Sequence, residues 1–392
     1  MRDDYDAVVV GSRVAGAPTA RLLALRGHRV LMVDRASMPS DTVSTHAILR
    51  TGVLQLTRWG LVDRVAAAGT PAVSDMTLGF GEERIPFRMK DDFGIRRLYA
   101  PRRFVLDSIL ADAATEAGVE LAERTRLVDL ARDSSGTVSG VVLEREGRTR
   151  RVTARMVIGA DGIRSRVADL VGATTVTRHV PANTVHYAYY TGTGFEGFWF
   201  QFTPGINAGL IATNDDAVCV FVGRPVGRMG RWRDGPEAEF RRLLGEAGAD
   251  LAERVESGRR VTPYRGTRPL PGFIRRPWGP GWALVGDAGY SKDPISAHGI
   301  SDALRDAELC ARAVDAGLRD PSRAASSLAE YERVRDVLSW PIYQESQALA
   351  DFGWDAQEAS SRMRVISQTV REECAALVSL PAWPEIEAAV PA

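Results

Sequence analysis

Residues 7–16 read AVVVGSRVAG, a fully apolar run followed by a glycine-rich turn. An unbroken apolar run of this length is typical of a strand buried on both faces of a parallel sheet. Small and apolar residues over 15–26 predict a helix that Gly27 ends, and residues 29–33 predict a second buried strand. A strand, a helix and a strand within about 30 residues form the crossover unit of a parallel sheet.

The turn nearly matches the G-x-G-x-x-G pattern of dinucleotide-binding folds. Gly11 and Gly16 supply the outer glycines, one for the tight turn and one for close packing of the helix on the strand. Arg13 replaces the middle glycine, where its side chain would either crowd a pyrophosphate or place a guanidinium beside it. Asp34 ends the second strand, where an acidic residue accepts hydrogen bonds from a ribose hydroxyl. Together these features predict dinucleotide binding.

The composition is that of an ordinary globular protein. Lys plus Arg and Asp plus Glu each number 50 among 392 residues, so the formal net charge is zero and nucleic-acid binding is not expected. Cys219, Cys310 and Cys374 lie far apart, which predicts neither disulfides nor a metal site and favours a cytoplasmic location. The acidic N-terminus lacks a signal-peptide pattern, and no apolar stretch approaches the roughly 20 residues of a membrane helix.

Strand and helix patterns recur along the chain. They predict strands at 156–159 and 282–285, and helices at about 103–117, 237–256 and 300–316. Residues 184–222 are rich in aromatic and β-branched side chains, which is the composition of a β-sheet. From residue 323 onward the pattern is helical, and breaks are expected at Pro341, Pro381 and Pro384.

Two further strand-end turns lie far from the first one. They are GADGIRS at 159–165 and GDAGY at 286–290, and the second is followed by Pro294 and by ISAHGIS at 295–301. Each turn alone is a common loop, but a nicotinamide dinucleotide needs no such late motif. A cofactor with a long ribityl chain and a wide ring must be held far from its pyrophosphate. The pattern therefore indicates FAD.

The three motifs together resemble the FAD-binding superfamily of the aromatic hydroxylases similar to para-hydroxybenzoate hydroxylase. That superfamily also includes geranylgeranyl reductase-like enzymes and flavin-dependent halogenases. Asp34, Arg35 and Pro39 resemble its acidic-Arg-x3-Pro segment, and Arg103 is similar to its FAD-contacting arginine. The resemblance covers about residues 5–340.

The resemblance also implies roles for the late motif. Asp287 would bind the ribityl chain, Pro294 would lie beside the flavin ring, and the amides of Gly299 and Ile300 would face its N1/O2 edge. The full set of implied cofactor contacts is Gly11, Arg13, Val14, Ala15, Gly16, Asp34, Arg35, Arg103, Leu127, Asp161, Gly286, Asp287, Pro294, Gly299 and Ile300.

Several residues depart from the family pattern. Tyr290 replaces a histidine that is common after the Gly-Asp motif, and Ser296 and Ser301 stand where Gly and Asn are usual. The sequence has no W-x-W-x-I-P segment, which weakens a halogenase interpretation, and no convincing aromatic-rich F-P motif of the prenyl reductases.

The predicted fold class is α/β (α+β). A Rossmann-like FAD-binding domain, discontinuous in sequence, is expected over 1–75, 98–175 and 276–335. A substrate-binding β-sheet domain is expected over 76–97 and 176–275, and C-terminal helices over 336–392.

The resemblance implies an FAD-dependent monooxygenase that uses NAD(P)H and O2 to hydroxylate a small aromatic or polyketide-like molecule. The alternative is an FAD-dependent reductase or dehydrogenase that acts on a C=C or C–N bond without oxygen. A non-enzymatic flavin-binding protein is the third hypothesis. All three expect a soluble protein without stable membrane insertion, and the oligomeric state is left open, a homodimer included.

Three histidines are candidate catalytic groups. His46 lies in the loop that follows the second strand, His298 lies inside the late flavin loop, and His186 lies in the aromatic stretch. A satisfied structural histidine is the competing interpretation at each position. No metal site is expected.

Overall fold

The computed structural model describes residues 1–228, 235–266, 269–383 and 386. The helices of these residues are α1 (Gly16–Leu25), α2 (Arg50–Arg58), α3 (Val62–Ala67), α4 (Arg103–Glu116), α5 (Arg166–Val171), α6 (Pro236–Ala247), α7 (Ala249–Glu256), α8 (Gly299–Arg319), α9 (Ala324–Ala350) and α10 (Ala356–Ser379). The strands are β1 (Asp4–Val10), β2 (Val30–Val33), β3 (Asp75–Phe80), β4 (Glu83–Arg88), β5 (Glu120–Ala122), β6 (Arg126–Arg132), β7 (Val138–Arg145), β8 (Arg148–Gly159), β9 (Thr175–His179), β10 (Asn183–Thr191), β11 (Phe198–Thr203), β12 (Ile206–Thr213), β13 (Ala217–Pro225), β14 (Arg259–Arg260), β15 (Arg265–Gly266), β16 (Gly272–Arg275), β17 (Trp278–Gly279), β18 (Trp282–Leu284) and β19 (Tyr290–Ser291).

The first sheet has a parallel centre in the order β18-β8-β1-β2-β5. Its strands come from the beginning, the middle and the last third of the sequence, so the sheet is discontinuous. All four residues of β2 are buried, as the apolar run predicted. An antiparallel ribbon, β6-β7, continues the sheet from β8.

The second sheet has the order β14-β10-β13-β12-β11-β3-β4, and its strands are antiparallel except for β11 with β3. Its central strands come from the aromatic stretch. A small third sheet, β19-β16-β9, lies next to the late flavin motif.

The largest apolar core lies between the two main sheets, and α1, α4, α8, α9 and α10 contribute to it. Along β10, Tyr187 and Tyr189 belong to this core, whereas Ala188 and Tyr190 pack with α6 and α7 on the opposite face. This alternation determines which residues of β10 face the FAD-binding sheet.

The predicted fold class is confirmed, including the discontinuous Rossmann-like sheet, the separate β-sheet and the C-terminal helices. The domain boundaries stay a prediction. No helix within the described ranges combines the length and apolarity that crossing a membrane requires.

Two predictions about helices were wrong. The helix expected over 237–256 is divided into α6 and α7 at Gly248. The break expected at Pro341 is absent, because α9 continues through it to Ala350. Pro341 removes one N–H that would bond the carbonyl of Val337, but Val337 is exposed on the outer face, where water can satisfy that carbonyl. Pro381 follows the end of α10, and Pro384 lies outside the described residues.

Candidate cofactor site and active site

The turn between β1 and α1 requires both of its glycines. Gly11 has φ +108°, and a Cβ on it would lie 2.4 Å from the carbonyl oxygen of Ala160. A Cβ on Gly16 would lie 1.8 Å from the carbonyl oxygen of Gly11. Side chains are therefore excluded at both positions, and the second glycine-aspartate motif, which contains Ala160, packs directly against the first motif.

Arg13 turns its guanidinium away from the glycine turn. Its Nη2 donates to the Ser40 hydroxyl at 2.9 Å, and its Nη1 lies 3.8 Å from the Asp107 carboxylate. Arg103 also pairs with Asp107, at 3.0 Å. Burial raises the pKa of Asp107, while Arg103 and Arg13 act against that rise. Two arginines around one carboxylate leave positive charge beside the start of α1, which suits a pyrophosphate.

Asp34 ends β2 in the geometry of a ribose acceptor. One carboxylate oxygen accepts from the backbone and hydroxyl of Ser12, both at 2.9 Å, and the other accepts from the amide of Ala36 at 2.9 Å. A carboxylate has about four acceptor sites, so the oxygen bonded to Ala36 can accept from a ribose hydroxyl as well. Arg35 is exposed and Val14 is half-buried.

The late motif presents isolated exposed residues within a buried segment. Asp287, Pro294 and Gly299 are exposed, although most of their neighbours over 283–300 are buried. Asp287 is surrounded by protein on its other sides, and this loss of hydration raises its pKa. Exposed residues spaced along a buried loop line a cleft rather than the outer surface.

Gly286 joins this cleft to the first motif. A Cβ on Gly286 would lie 2.9 Å from the Cβ of Ala15, and Gly286 has φ +59°. Gly11, Gly16, Asp34, Arg103 and the late motif therefore meet around the turn between β1 and α1, and we call this group of residues the cofactor path. A long cofactor with a charged centre and a wide ring fits that path, so these residues fit FAD.

Two residues predicted to contact FAD, Asp161 and Leu127, have structural roles. Asp161 caps α5, because it accepts from the amides of Arg166 at 2.6 Å and Val167 at 3.2 Å, and its other carboxylate oxygen is buried without a partner among the described residues. Leu127 packs its side chain into the core on the far face of the first sheet. Contact with FAD at Leu127 would have to come from its backbone. Ile300 is buried at the start of α8.

His46 lies between the cofactor path and the second sheet. The amide of Leu49 donates to the Ser301 hydroxyl at 3.2 Å, and the amide of Ser44 donates to the Tyr187 hydroxyl at 3.3 Å. The loop that carries His46 is thus fastened to α8 on one side and to β10 on the other. His46 Nε2 is hydrogen-bonded to the Tyr189 hydroxyl, and burial lowers the pKa of this histidine well below its usual range.

Arg102 packs over the ring of Tyr189. Its guanidinium lies 4.0 Å from the centre of the Tyr189 ring, and it also pairs with Asp41 at 3.1 Å. A guanidinium over the ring makes a favourable cation–π contact and holds the ring in place. Tyr189 was not predicted as a site residue, although strand alternation within the aromatic run separates it from Tyr190.

His186 does not approach the cofactor path. It shares the face of β10 with Ala188 and Tyr190, toward α6, and its ring packs against Gly266. Burial, with Arg224 nearby, lowers the pKa of His186 to about 4. The structure corrects the expectation for this residue: the two-residue period of β10 turns it away from the cleft.

His298 precedes Gly299 and is fully buried. Its Nε2 contacts the Glu373 carboxylate at 2.8 Å, which ties the late loop to α10. Sequence reasoning missed Glu373, because it lies 75 residues further along the chain in a region with no motif.

Comparison with known proteins agrees with this geometry. Residues 4–231 match the FAD binding domain family, so the chain belongs to that family. It is a flavin-dependent oxidoreductase whose cofactor is FAD.

Individual relatives span most of the chain. Digeranylgeranylglycerophospholipid reductase 1 of Methanococcoides burtonii is 27% identical over 344 residues, covering 86% of this chain and 78% of the relative. Menaquinone reductase of Mycolicibacterium smegmatis is 28% identical over 360 residues, covering 86% of this chain and 82% of the relative.

Solved structures share the fold. The myxobacterial chondrochloren halogenase CndH superposes with a TM-score of 0.79 at 21% identity, covering 94% of this chain and 91% of that chain. PqsL of Pseudomonas aeruginosa, a probable FAD-dependent monooxygenase, superposes with a TM-score of 0.76 at 23% identity, covering 92% and 100%. At these identities the likeness shows the fold alone.

Proposed function

We propose that this protein is an FAD-dependent reductase that saturates a C=C bond in an apolar, isoprenoid-like molecule, with NAD(P)H as the reductant. The reductase interpretation takes precedence over the monooxygenase because the two relatives described above, each aligned over 86% of this chain, are named reductases. The observation in the structure that carries the proposal is the buried His46–Tyr189 pair, whose loop is bonded to Ser301 of α8 on one side and to Tyr187 of β10 on the other.

The pair is suited to hold a proton. His46 is neutral because burial and the nearby arginines lower its pKa. If His46 Nε2 donates to Tyr189, the phenol O–H is free to donate elsewhere; if it accepts, His46 Nδ1 keeps a hydrogen with no partner among the described residues. Either tautomer leaves one hydrogen-bond donor without a partner among the described residues. Saturation of a C=C bond needs a proton donor of this kind beside the substrate.

The wall around the pair is apolar. The residues of the second sheet that share the core with Tyr189 include Val185, Phe198, Phe200, Ile211, Cys219 and Phe221, all buried. A surrounding of this composition favours an apolar substrate beside the pair. It offers few groups that would bind a strongly polar one.

When bound, FAD supplies the two-electron transfer, and residues of the chain determine which substrate receives the electrons. Arg103 and the start of α1 would hold the pyrophosphate end, and Asp34 would hold the ribose. Gly299 and Ile300 would place a helix start, with its positive end, at the ring. His46 and Tyr189 hold the proton at the Tyr189 oxygen, and the apolar sheet excludes water.

The test compares products with and without oxygen. The FAD-loaded protein is incubated with NADPH or NADH and a set of polyprenyl lipids, prenylated quinones and simple phenols, and the products are analysed by mass spectrometry. We expect a prenyl compound to gain two hydrogens at the same rate under anaerobic and aerobic conditions. A heat-denatured sample and one without NAD(P)H serve as controls.

A monooxygenase is the second candidate, because PqsL, a probable FAD-dependent monooxygenase, shares the fold. Gain of one oxygen atom by a phenol, with turnover only in air, would replace the reductase by this candidate. Stoichiometric FAD binding without substrate-dependent NAD(P)H consumption across the whole set would favour the non-enzymatic hypothesis.

A further inference from the structure

A cluster of charged side chains is buried directly beneath the start of α8. We call it the α8 charge cluster, and its members are Lys292, His298, Asp302, Arg305, Asp306 and Glu373. Every member is less than a tenth exposed, and three separate elements contribute to it: the late loop, α8 and α10. Burying so many charged groups costs free energy unless each is paired with an opposite charge, so the cluster is a candidate for a functional role.

Glu373 is the centre of the cluster on the side of α10. It accepts hydrogen bonds from His298 Nε2 at 2.8 Å and from the Thr51 hydroxyl at 2.9 Å, and it contacts Arg305. A carboxylate only accepts, so the proton of neutral His298 lies on Nε2. His298 Nδ1 is then a bare acceptor, and it is buried without a partner among the described residues.

The charges of the cluster leave room for one more proton. Lys292 contacts Asp302, and Arg305 contacts Asp302, Asp306 and Glu373, so two basic side chains meet three carboxyl groups. Arg335 of α9 also acts on Asp306, but Arg335 is itself paired with Asp336 at 2.5 Å. With His298 neutral, the carboxyl groups of the cluster therefore outnumber its basic side chains by one. A proton on His298 Nδ1 would make the two numbers equal.

A metal ion is not needed to supply that charge. His298, Asp302 and Glu373 could together hold an ion by spacing alone. However, Lys292 and Arg305 already contact the same carboxylates, so a divalent ion would have to displace them or be repelled by them.

The position of His298 links the cluster to the flavin. The cluster lies beneath Gly299, the exposed first residue of α8, and the proposed function places the flavin ring at that helix start. Negative charge on the flavin ring would therefore act on the neighbouring residue, His298. Little water lies between them to screen the interaction, because His298 is fully buried.

We propose that His298, held by Glu373, is a redox-linked proton site: it takes up one proton from solvent when bound FAD gains two electrons from NAD(P)H, and it releases that proton on reoxidation. This inference rests on the proposed function, because it needs FAD in the cleft. His298 undergoes no redox change; the N–H bond at Nδ1 is the only bond on the protein that forms or breaks. Glu373 acts through His298 and is therefore a positioning residue.

The groups around His298 determine in which direction its protonation changes when the flavin is reduced. Burial lowers the pKa of His298, Lys292 and Arg305 act in the same direction, and Glu373 acts against them. His298 is therefore neutral near pH 7 while no charge sits above it. Added negative charge at the helix start raises its pKa, and Glu373 stabilises the imidazolium that results.

The test is the pH dependence of the flavin midpoint potential, measured on the holoprotein by anaerobic redox titration from about pH 5 to pH 8, where histidine titrates. Each proton taken up with two electrons contributes about 30 mV per pH unit. We expect a segment with a slope of about 60 mV per pH unit in the wild type. In Glu373→Gln and His298→Asn we expect about 30 mV per pH unit over that same segment.

Glu308→Gln is the matched control. Glu308 is equally buried on α8 and is bonded to Gln55, Arg58, Trp59 and Arg312, away from the late loop. A general loss of stability would affect both carboxylate variants, but only the change at Glu373 should alter the slope.

Several outcomes would overturn the inference. A wild-type slope of about 30 mV per pH unit throughout would do so without any variant. A steeper segment shared by the wild type and all three variants would belong to the flavin itself. If the steeper segment of the potential–pH curve disappeared only in Lys292→Met, the proton would be assigned to that lysine. Burial lowers the pKa of Lys292 to about 7. Failure to bind FAD would instead count against the proposed function.

Discussion

Arg13 shows how a single residue can depart from a motif and leave its function in place. The glycine it replaces is needed where backbone must approach a pyrophosphate closely. Here the side chain is bonded to Ser40 and lies near Asp107, so the space above the turn stays open. Because Asp107 is shared with Arg103, Arg13 adds positive charge to the same end of the cleft.

Asp34→Ala should weaken FAD binding. The substitution removes the carboxylate that accepts from Ser12 and Ala36 and leaves the ribose hydroxyl without its acceptor. Leaving such groups unpaired costs about 1–3 kcal/mol, which corresponds to a rise in Kd of roughly 5- to 150-fold. Fluorescence titration of apoprotein with FAD measures it. Unchanged retention of FAD would remove Asp34 from the ribose site.

Tyr189→Phe should reduce turnover by about 10²- to 10⁴-fold, the usual contribution of a positioned proton donor. FAD affinity should not change, because Tyr189 lies on the substrate side. Tyr190→Phe is the control: Tyr190 faces away, and its hydroxyl is bonded to the Tyr264 hydroxyl at 3.0 Å. Comparable losses in both variants would show that the hydroxyl of Tyr189 matters only for packing.

At the level of residues, local signals predict the geometry of only one part of the candidate site. Gly11, Gly16 and Asp34 sit in a contiguous strand-helix-strand unit, so their spacing already fixes their geometry. Tyr189 and Glu373 depend on contacts between elements that are remote in sequence, and no local pattern reports such contacts. His186 was misplaced because composition identifies a strand but not which face of it meets the cofactor.

At the scale of elements, the sequence predicted α1, α4 and α8 to within a few residues because clear apolar spacing and glycine ends define them. It failed at α9. Tertiary packing against α8 and α10 supports the continuation of α9 through Pro341, and such support cannot be read from local preference.

Pro341→Ala should stabilise the protein by roughly 1–3 kcal/mol, because alanine restores the missing N–H and removes the ring from the helix interior. Urea unfolding followed by circular dichroism measures the change. Pro236→Ala is the matched control, because Pro236 occupies the first turn of α6, where proline is tolerated, and should give no gain. A loss of stability at Pro341→Ala would mean that packing of the proline ring outweighs the restored hydrogen bond.

At the scale of the whole molecule, pH should affect stability through buried histidines. Burial lowers the pKa of His186 from 6.5 to about 4. Below about pH 6.5 the unfolded chain therefore binds a proton at this residue, whereas the folded protein binds it only near pH 4. The free energy of unfolding falls as pH drops from about 6.5 to about 4, by about 3 kcal/mol in total.

A comparison with His186→Gln isolates this contribution. Asp293 acts in the opposite direction, because burial raises its pKa to about 6 and its folded form gains stability as pH falls toward 4. Asp293 is common to both proteins and cancels in the difference between them. The stability advantage of wild type over His186→Gln should shrink as pH falls from about 6.5 to about 4. A constant difference in the unfolding free energy would contradict the assignment.

The order of strands in the first sheet has a consequence for biosynthesis. Because β18 and α8 come after residue 281, a nascent chain that has left the ribosome only as far as β17 carries the pyrophosphate end of the site but not the ring end. Until β18 emerges, the last three residues of β8 remain an open parallel edge, where other chains could pair. If FAD needs both ends of the site, its capture must wait for the last third of translation, and the unfinished chain lacks the protection that a bound cofactor would give.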